Sequence, residues 1–113
     1  MKLVTLREMC AICGVSRRAV QGYEKAGLMK AAGKNERGYL LYGDIEIEKV
    51  RYIKMLQDFG LTLKEIVNLQ SSDEKEISIL LEEKRKRMLA QKEKLGRTID
   101  AISEIIRKYK EDI

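Results

Sequence analysis

Leu6, Met9, Cys10 and Cys13 recur at i, i+3, i+4 and i+7, the spacing of one apolar helix face. Thr5 precedes that run and Glu8 follows three residues later, the pairing of a capping box, with Val4 and Met9 placed as a hydrophobic staple. Gly14 stops this helix and Ser16 caps the next. On the second helix Ser16, Ala19, Val20 and Tyr23 fall on one side. Arg17, Arg18, Gln21 and Lys25 fall on the other, within about a third of a turn at about 100° per residue. Two apolar faces that close on each other, with a cationic, amide-bearing face left outside, read as a helix-turn-helix whose second helix enters a DNA groove. An ordinary helical hairpin with a solvated charged face gives the same pattern. Gly22, inside the second helix, costs about 1 kcal/mol against alanine and suggests a close backbone approach there.

Lys25-Ala26-Gly27 ends the second helix. Leu28 to Gly43 then passes through a polar, glycine-bearing tip to the β-prone run Tyr39-Leu40-Leu41-Tyr42. The segment reads as a two-stranded wing with Lys30, Lys34 and Arg37 near its tip, or as a flexible connector. Asp44 is the expected cap of a third helix carrying Ile47, Val50, Ile53 and Leu56 and ending before Gly60. Thr62 and Glu65 form a second capping box, stapled by Leu61 and Ile66, for a short helix that buries Leu63, Ile66 and Val67. Ser71 and Glu74 suggest a third box, after which Gly96 is the one breaker before the end.

The expected division is therefore residues 1–71 as a winged helix-turn-helix domain and residues 72–113 as one long helix. Leu81, Met88, Leu95, Ile102 and Tyr109 recur every seven residues along it. Ile99, Ile106 and Ile113 supply a second seam position, so Leu95 to Ile113 alternates by four and three. Arg85 and Lys92 hold that second position upstream and weaken the seam there. The pattern predicts association through the later half, the alternative being a helix folded back on its own domain. The fold class is all-α in the main.

Composition adds three constraints. A net charge of +5 over 113 residues favours a polyanionic partner. With 36% charged residues, no proline and no apolar run long enough to cross a bilayer, the chain reads as helical, without a membrane segment. The start of the chain lacks the apolar core of a signal peptide, which makes a cytoplasmic protein the expectation. Without histidine there is no Ser-His or Cys-His pair, and no glycine-rich phosphate loop occurs, so an enzyme is not expected. Cys10-x-x-Cys13 invites a metal or redox reading, but both cysteines lie in the apolar stripe and no third soft ligand completes a tetrahedral site. No metal and no cofactor are expected.

Gly14-Val15-Ser16, Arg18, Tyr23-Glu24-Lys25, Gly27-Leu28, Gly38-Tyr39, Tyr42, Ile53, Gly60-Leu61, Leu63, Glu65 and Ile66, in this order of elements, resemble the MerR family of bacterial transcriptional regulators over the whole chain. The resemblance implies a winged helix-turn-helix, a second helix pair and a long antiparallel coiled-coil dimerisation helix. It also implies double-stranded promoter DNA, a second copy of the chain and RNA polymerase as partners. The expected DNA-binding set is Ser16, Arg17, Arg18, Gln21, Tyr23 and Lys25 on the second helix, with Lys34, Asn35, Arg37 and Tyr39 in the wing. The expected dimerisation set is Leu81, Met88, Leu95, Ile99, Ile102, Ile106 and Tyr109.

The chain also departs from the family. Gln21-Gly22-Tyr23 stands where an arginine and two tyrosines are usual, Leu40 where the wing carries arginine, and Ala31 and Gly33 where proline and arginine follow the first strand. The family's sensor cysteines at the ends of the long helix are missing, and no effector domain is expected. The functional expectation is a homodimeric regulator that reads a pseudo-palindromic site. Two alternatives stay open: a structural or recombination-accessory DNA-binding protein, and a protein-interaction module with a vestigial DNA face.

Overall fold

A computed structural model describes residues 2–111. Its elements run β1 (Val4–Thr5), α1 (Leu6–Cys13), α2 (Arg17–Lys25), β2 (Gly33–Lys34), β3 (Leu40–Tyr42), α3 (Asp44–Asp58), α4 (Leu63–Leu69) and α5 (Glu74–Glu111). Backbone contacts divide the chain into two compact units that meet at Asp73 and Glu74.

The first unit is a winged helix-turn-helix followed by a second helix pair. Thr5 and Glu8 form the expected box: the Glu8 N–H donates to Thr5 Oγ1 at 3.3 Å and the Thr5 N–H to Glu8 Oε1 at 3.1 Å. That backbone donor, helped by the Thr5 hydroxyl, holds the Glu8 carboxyl below the usual carboxylate range. The box at Thr62 and Glu65 repeats the arrangement at 2.9 and 3.1 Å. The hydrophobic pattern places most of the core, but Leu63 and Val67, expected to be buried on α4, are half-buried, as are Leu6 and Cys10 on α1. Met9, Val20, Tyr42 and Val50 are fully enclosed, with Ile47, Ile53, Leu56, Leu61 and Ile66 packed around them.

The wing has three strands rather than two. β3 lies between β1 and β2, antiparallel to both, with Val4 opposite Tyr42 and Lys34 opposite Leu40. The extra strand is two residues long, too short to leave an alternating pattern, and it ties the start of α1 to the wing. Lys30 precedes the sheet instead of lying at its tip, because Leu28 and Met29 beside it are buried.

Three local expectations are corrected. Asp44 is the first residue of α3, and the cap is Gly43, whose N–H donates to Glu46 Oε1 at 2.8 Å. Ser71 does not cap α5; its hydroxyl and that of Ser72 donate back to the Asn68 carbonyl at 3.2 and 2.9 Å, and α5 begins at Glu74. Gly22 faces open space, since a Cβ built there meets nothing within 4 Å. Its cost in the helix is therefore not offset by packing, and Gly22→Ala is expected to stabilise the first unit by about 0.5–1 kcal/mol in urea denaturation. No gain would mean that an alanine there meets something the fold does not reveal.

The second unit is α5 alone, 38 residues and about 57 Å long at about 1.5 Å per residue. None of its described residues is buried. Met88, Leu95, Ile99, Ile102, Ile106 and Tyr109 are exposed, Tyr109 at 70%, while Leu81 is half-buried. Ile113, the last seam position, lies outside the described residues. No helix among the described residues is long and apolar enough to cross a membrane.

Candidate nucleic-acid interface

The turn between α1 and α2 is set by backbone geometry. Gly14 adopts φ 67°, the left-handed region that costs a glycine little. Its N–H and that of Val15 both donate to the Cys10 carbonyl, at 2.9 and 3.1 Å. Ser16 Oγ then accepts the Ala19 N–H at 3.0 Å, so the Ser16 side chain is committed to starting α2.

Two tyrosines fix α2 from its inner side. The Tyr23 hydroxyl donates to Gln57 Oε1 on α3 at 2.6 Å, and the Tyr42 hydroxyl on β3 donates to Glu24 Oε1 at 2.6 Å. Burial raises both phenols above the ordinary tyrosine value, and for Tyr42 the carboxylate that accepts its proton adds to the rise. Tyr23 is only 2% exposed, which corrects its place among the expected DNA contacts: it anchors the helix that bears the interface. The helical wheel had put it on the apolar side, and burial agrees with the wheel.

With α2 held this way, Arg17, Arg18, Gln21 and Lys25 are all exposed, and none of their side chains makes a hydrogen bond or ion pair among the described residues. In the wing, Lys34 and Arg37 are exposed and Tyr39 is 59% exposed. Asn35 is half-buried and shapes the tip. Its Oδ1 accepts the N–H groups of Arg37 and Tyr39 at 2.9 and 3.0 Å, while its own N–H donates to the Tyr39 carbonyl at 2.9 Å. Only its amide N–H₂ is left to offer an external partner. Arg7, which the apolar pattern passed over, joins Arg17 and Tyr39 around one open cleft. The sequence held one signal for it: a cation in the first turn of α1 works against the positive end of the helix.

Cys10 and Cys13 are free thiols. Cys13 is buried, with its Sγ 3.8 Å from the Ile47 carbonyl. Burial pushes both thiols up, only partly countered by Arg17 near Cys10 and Arg51 near Cys13, so they stay protonated at neutral pH. No group of three or more Cys, Asp or Glu side chains converges among the described residues.

This arrangement has counterparts among known proteins. The mercuric resistance operon regulatory protein of Bacillus cereus is 34% identical over 62 residues, which is 55% of this chain and 47% of that protein. A MerR-family transcriptional regulator from Bacillus cereus superposes with a TM-score of 0.75 at 25% identity, covering 96% of this chain and 84% of that one. EcmrR, solved as an EcmrR–DNA complex in EcmrR-RPo, superposes with a TM-score of 0.68 at 26% identity over 97% of this chain and 41% of that one. The chain spans about half the length of the curated relatives it matches. Residues 4–73, which hold both helix pairs and the wing, match the MerR HTH family regulatory proteins, and the chain belongs to that family.

Proposed function

We propose that this chain is a homodimeric, sequence-specific DNA-binding regulator of transcription. One observation carries the reading: α2 buries Val20 and Tyr23 while presenting Arg17, Arg18, Gln21 and Lys25 unpaired to solvent. A cationic face with an amide, on a helix clamped from behind, fits the major groove, where arginine reads guanine and glutamine reads adenine. The wing cations Lys34 and Arg37 extend the charge toward flanking phosphates. The long helix supplies the tether, since an amphipathic stripe of this length needs a partner helix to be stable. Membership of the family supports promoter DNA and RNA polymerase as partners, a cytoplasmic setting and a role without catalysis.

The test uses duplexes selected from a random pool. Affinity for the selected site should fall steeply with salt, with a log–log slope of about −0.9 per phosphate neutralised. Arg18→Ala should weaken the selected site by about 1–3 kcal/mol per half-site more than random duplex, the value of one good base contact. Selection that yields no consensus would favour the accessory reading. A flat salt response would leave only a protein-interaction role.

A further inference from the structure

Arg7 and Arg17 open onto the same cleft of about 500 Å³, walled on one side by Thr5 at the start of α1 and on the other by Tyr39 and Leu40 of the wing. Neither guanidinium has an ion pair or side-chain hydrogen bond among the described residues. Both stand in the first turn of a helix, where the backbone's own partial charge is positive. Two unpaired cations on one cleft, each beside the positive end of a helix, make it a favourable place for an anion. Glu8, the acidic residue in the first turn of α1, has its carboxylate occupied by the Thr5 N–H and hydroxyl, and it is not among the cleft's walls. No carboxylate lines the cleft, so an anion entering it meets donors and cations only. Arginine pairs with phosphate through parallel N–H donors, and the exposed phenol of Tyr39 offers a further hydroxyl donor at the rim.

We infer that the cleft between the starts of α1 and α2 and the wing holds one backbone phosphate of the bound duplex, gripped by Arg7 together with Arg17. This rests on the DNA-binding reading above and assigns a role to a residue outside the recognition helix and the wing. The position matters because a phosphate gripped at the junction of three elements fixes the rotation of α2 in the groove. Arg7 is thus a positioning residue: it carries no sequence information, and it sets the register in which Arg18 and Gln21 meet base edges.

The experiment compares parent, Arg7→Gln and Arg7→Lys by fluorescence anisotropy on the selected duplex and on a set of duplexes with one neutral methylphosphonate each. Arg7 is exposed, so the variants should unfold at the same temperature as the parent. Because the dimer carries two such contacts, Arg7→Gln should lose roughly tenfold in affinity and about 0.9 in salt slope per half-site, or roughly a hundredfold and about 1.8 for the dimer, with Arg7→Lys recovering much of both. At one phosphate in each half-site, methylphosphonate should weaken the parent but leave Arg7→Gln unchanged. A parent that binds normally and an Arg7→Gln that matches it in affinity and slope overturn the cleft assignment alone. Equal losses for parent and variant at every methylphosphonate position overturn it too. A parent that binds no duplex overturns the regulatory reading and this inference with it. Binding that inorganic phosphate competes away from the parent, at fixed ionic strength and with Arg7→Gln indifferent, still supports the cleft as the phosphate site; competition equal in both proteins counts against it.

Discussion

Aspartate at both Leu95 and Ile102 is expected to produce a monomer that binds its selected site at least about a hundredfold more weakly than the parent. One recognition helix covers only a few base pairs, so useful affinity requires two, held one helical turn of DNA or a multiple of it apart. Tethering them turns the second contact into an intramolecular event, and that advantage disappears when the tether fails. Leu95 and Ile102 are 61% and 53% exposed in the single chain, so a carboxylate there is well solvated until a second helix covers it. The cost of burying charge then falls on the dimer alone. Sedimentation should report half the parent mass, anisotropy the weakened binding, and urea denaturation an unchanged first unit. A variant that is monomeric yet binds the site as tightly as the parent would end the dimer model of recognition. The family resemblance makes the pairing antiparallel. Cross-linking of cysteines placed at opposite ends of α5 would check that separately.

Removing the Tyr42 ring should cost the first unit a large share of its stability. The side chain is fully enclosed, and truncation of a buried aromatic to alanine costs about 3–5 kcal/mol. A unit of this size has only about 4–10 kcal/mol in all, so Tyr42→Ala should lose roughly a third or more of it, read as a lower midpoint in urea denaturation. Tyr42→Phe separates the hydroxyl from the ring. It removes a hydrogen bond to a carboxylate, worth about 1.5–3 kcal/mol, and frees Glu24 at the end of α2. The same contact gives stability a sign in alkali. The phenol titrates well above its unfolded value of about 10, so its contribution is complete below that pH and fades as pH rises beyond it. Urea denaturation at about pH 7 and pH 11 should show a marked loss for the parent and a smaller one for Tyr42→Phe, with the rest of the effect owed to Tyr23 and to the Cys10 and Cys13 thiols. Equal pH dependence in both proteins would mean that Tyr42 is not shielded.

How far the sequence reveals these features follows from distance along the chain. The boxes at Thr5–Glu8 and Thr62–Glu65 each span three residues, and the seam of α5 repeats every seven, so both are local patterns that any reader of the chain can count. The outer face of α2 is equally legible, because one helix fixes which residues share a side. Tyr23–Gln57 and Tyr42–Glu24 join residues 34 and 18 positions apart, and nothing local announces them. β1 is hidden for a related reason: a two-residue strand exists only because β3 lies beside it. In Tyr23 the two sources of expectation conflict. Periodicity assigns it to the core and resemblance assigns it to DNA, and its burial decides for periodicity. Gly43 displaces Asp44 as cap because the reciprocal bond from Glu46 reaches the glycine N–H, a detail that residue preferences at helix starts cannot resolve.

The clamps behind α2 also bear on how this protein can change over generations. Its scaffold contacts pass through Val20, Tyr23 and Glu24, whereas the exposed side chains of Arg18, Gln21 and Lys25 make no hydrogen bond or ion pair among the described residues. Substitutions at such solvated positions usually shift stability by no more than about 0.5 kcal/mol. These positions can therefore change one residue at a time, with no compensating change required in the core. On the proposed DNA-binding reading, a lineage carrying this scaffold could change its target by altering side chains on this outer face while the scaffold behind them stays the same.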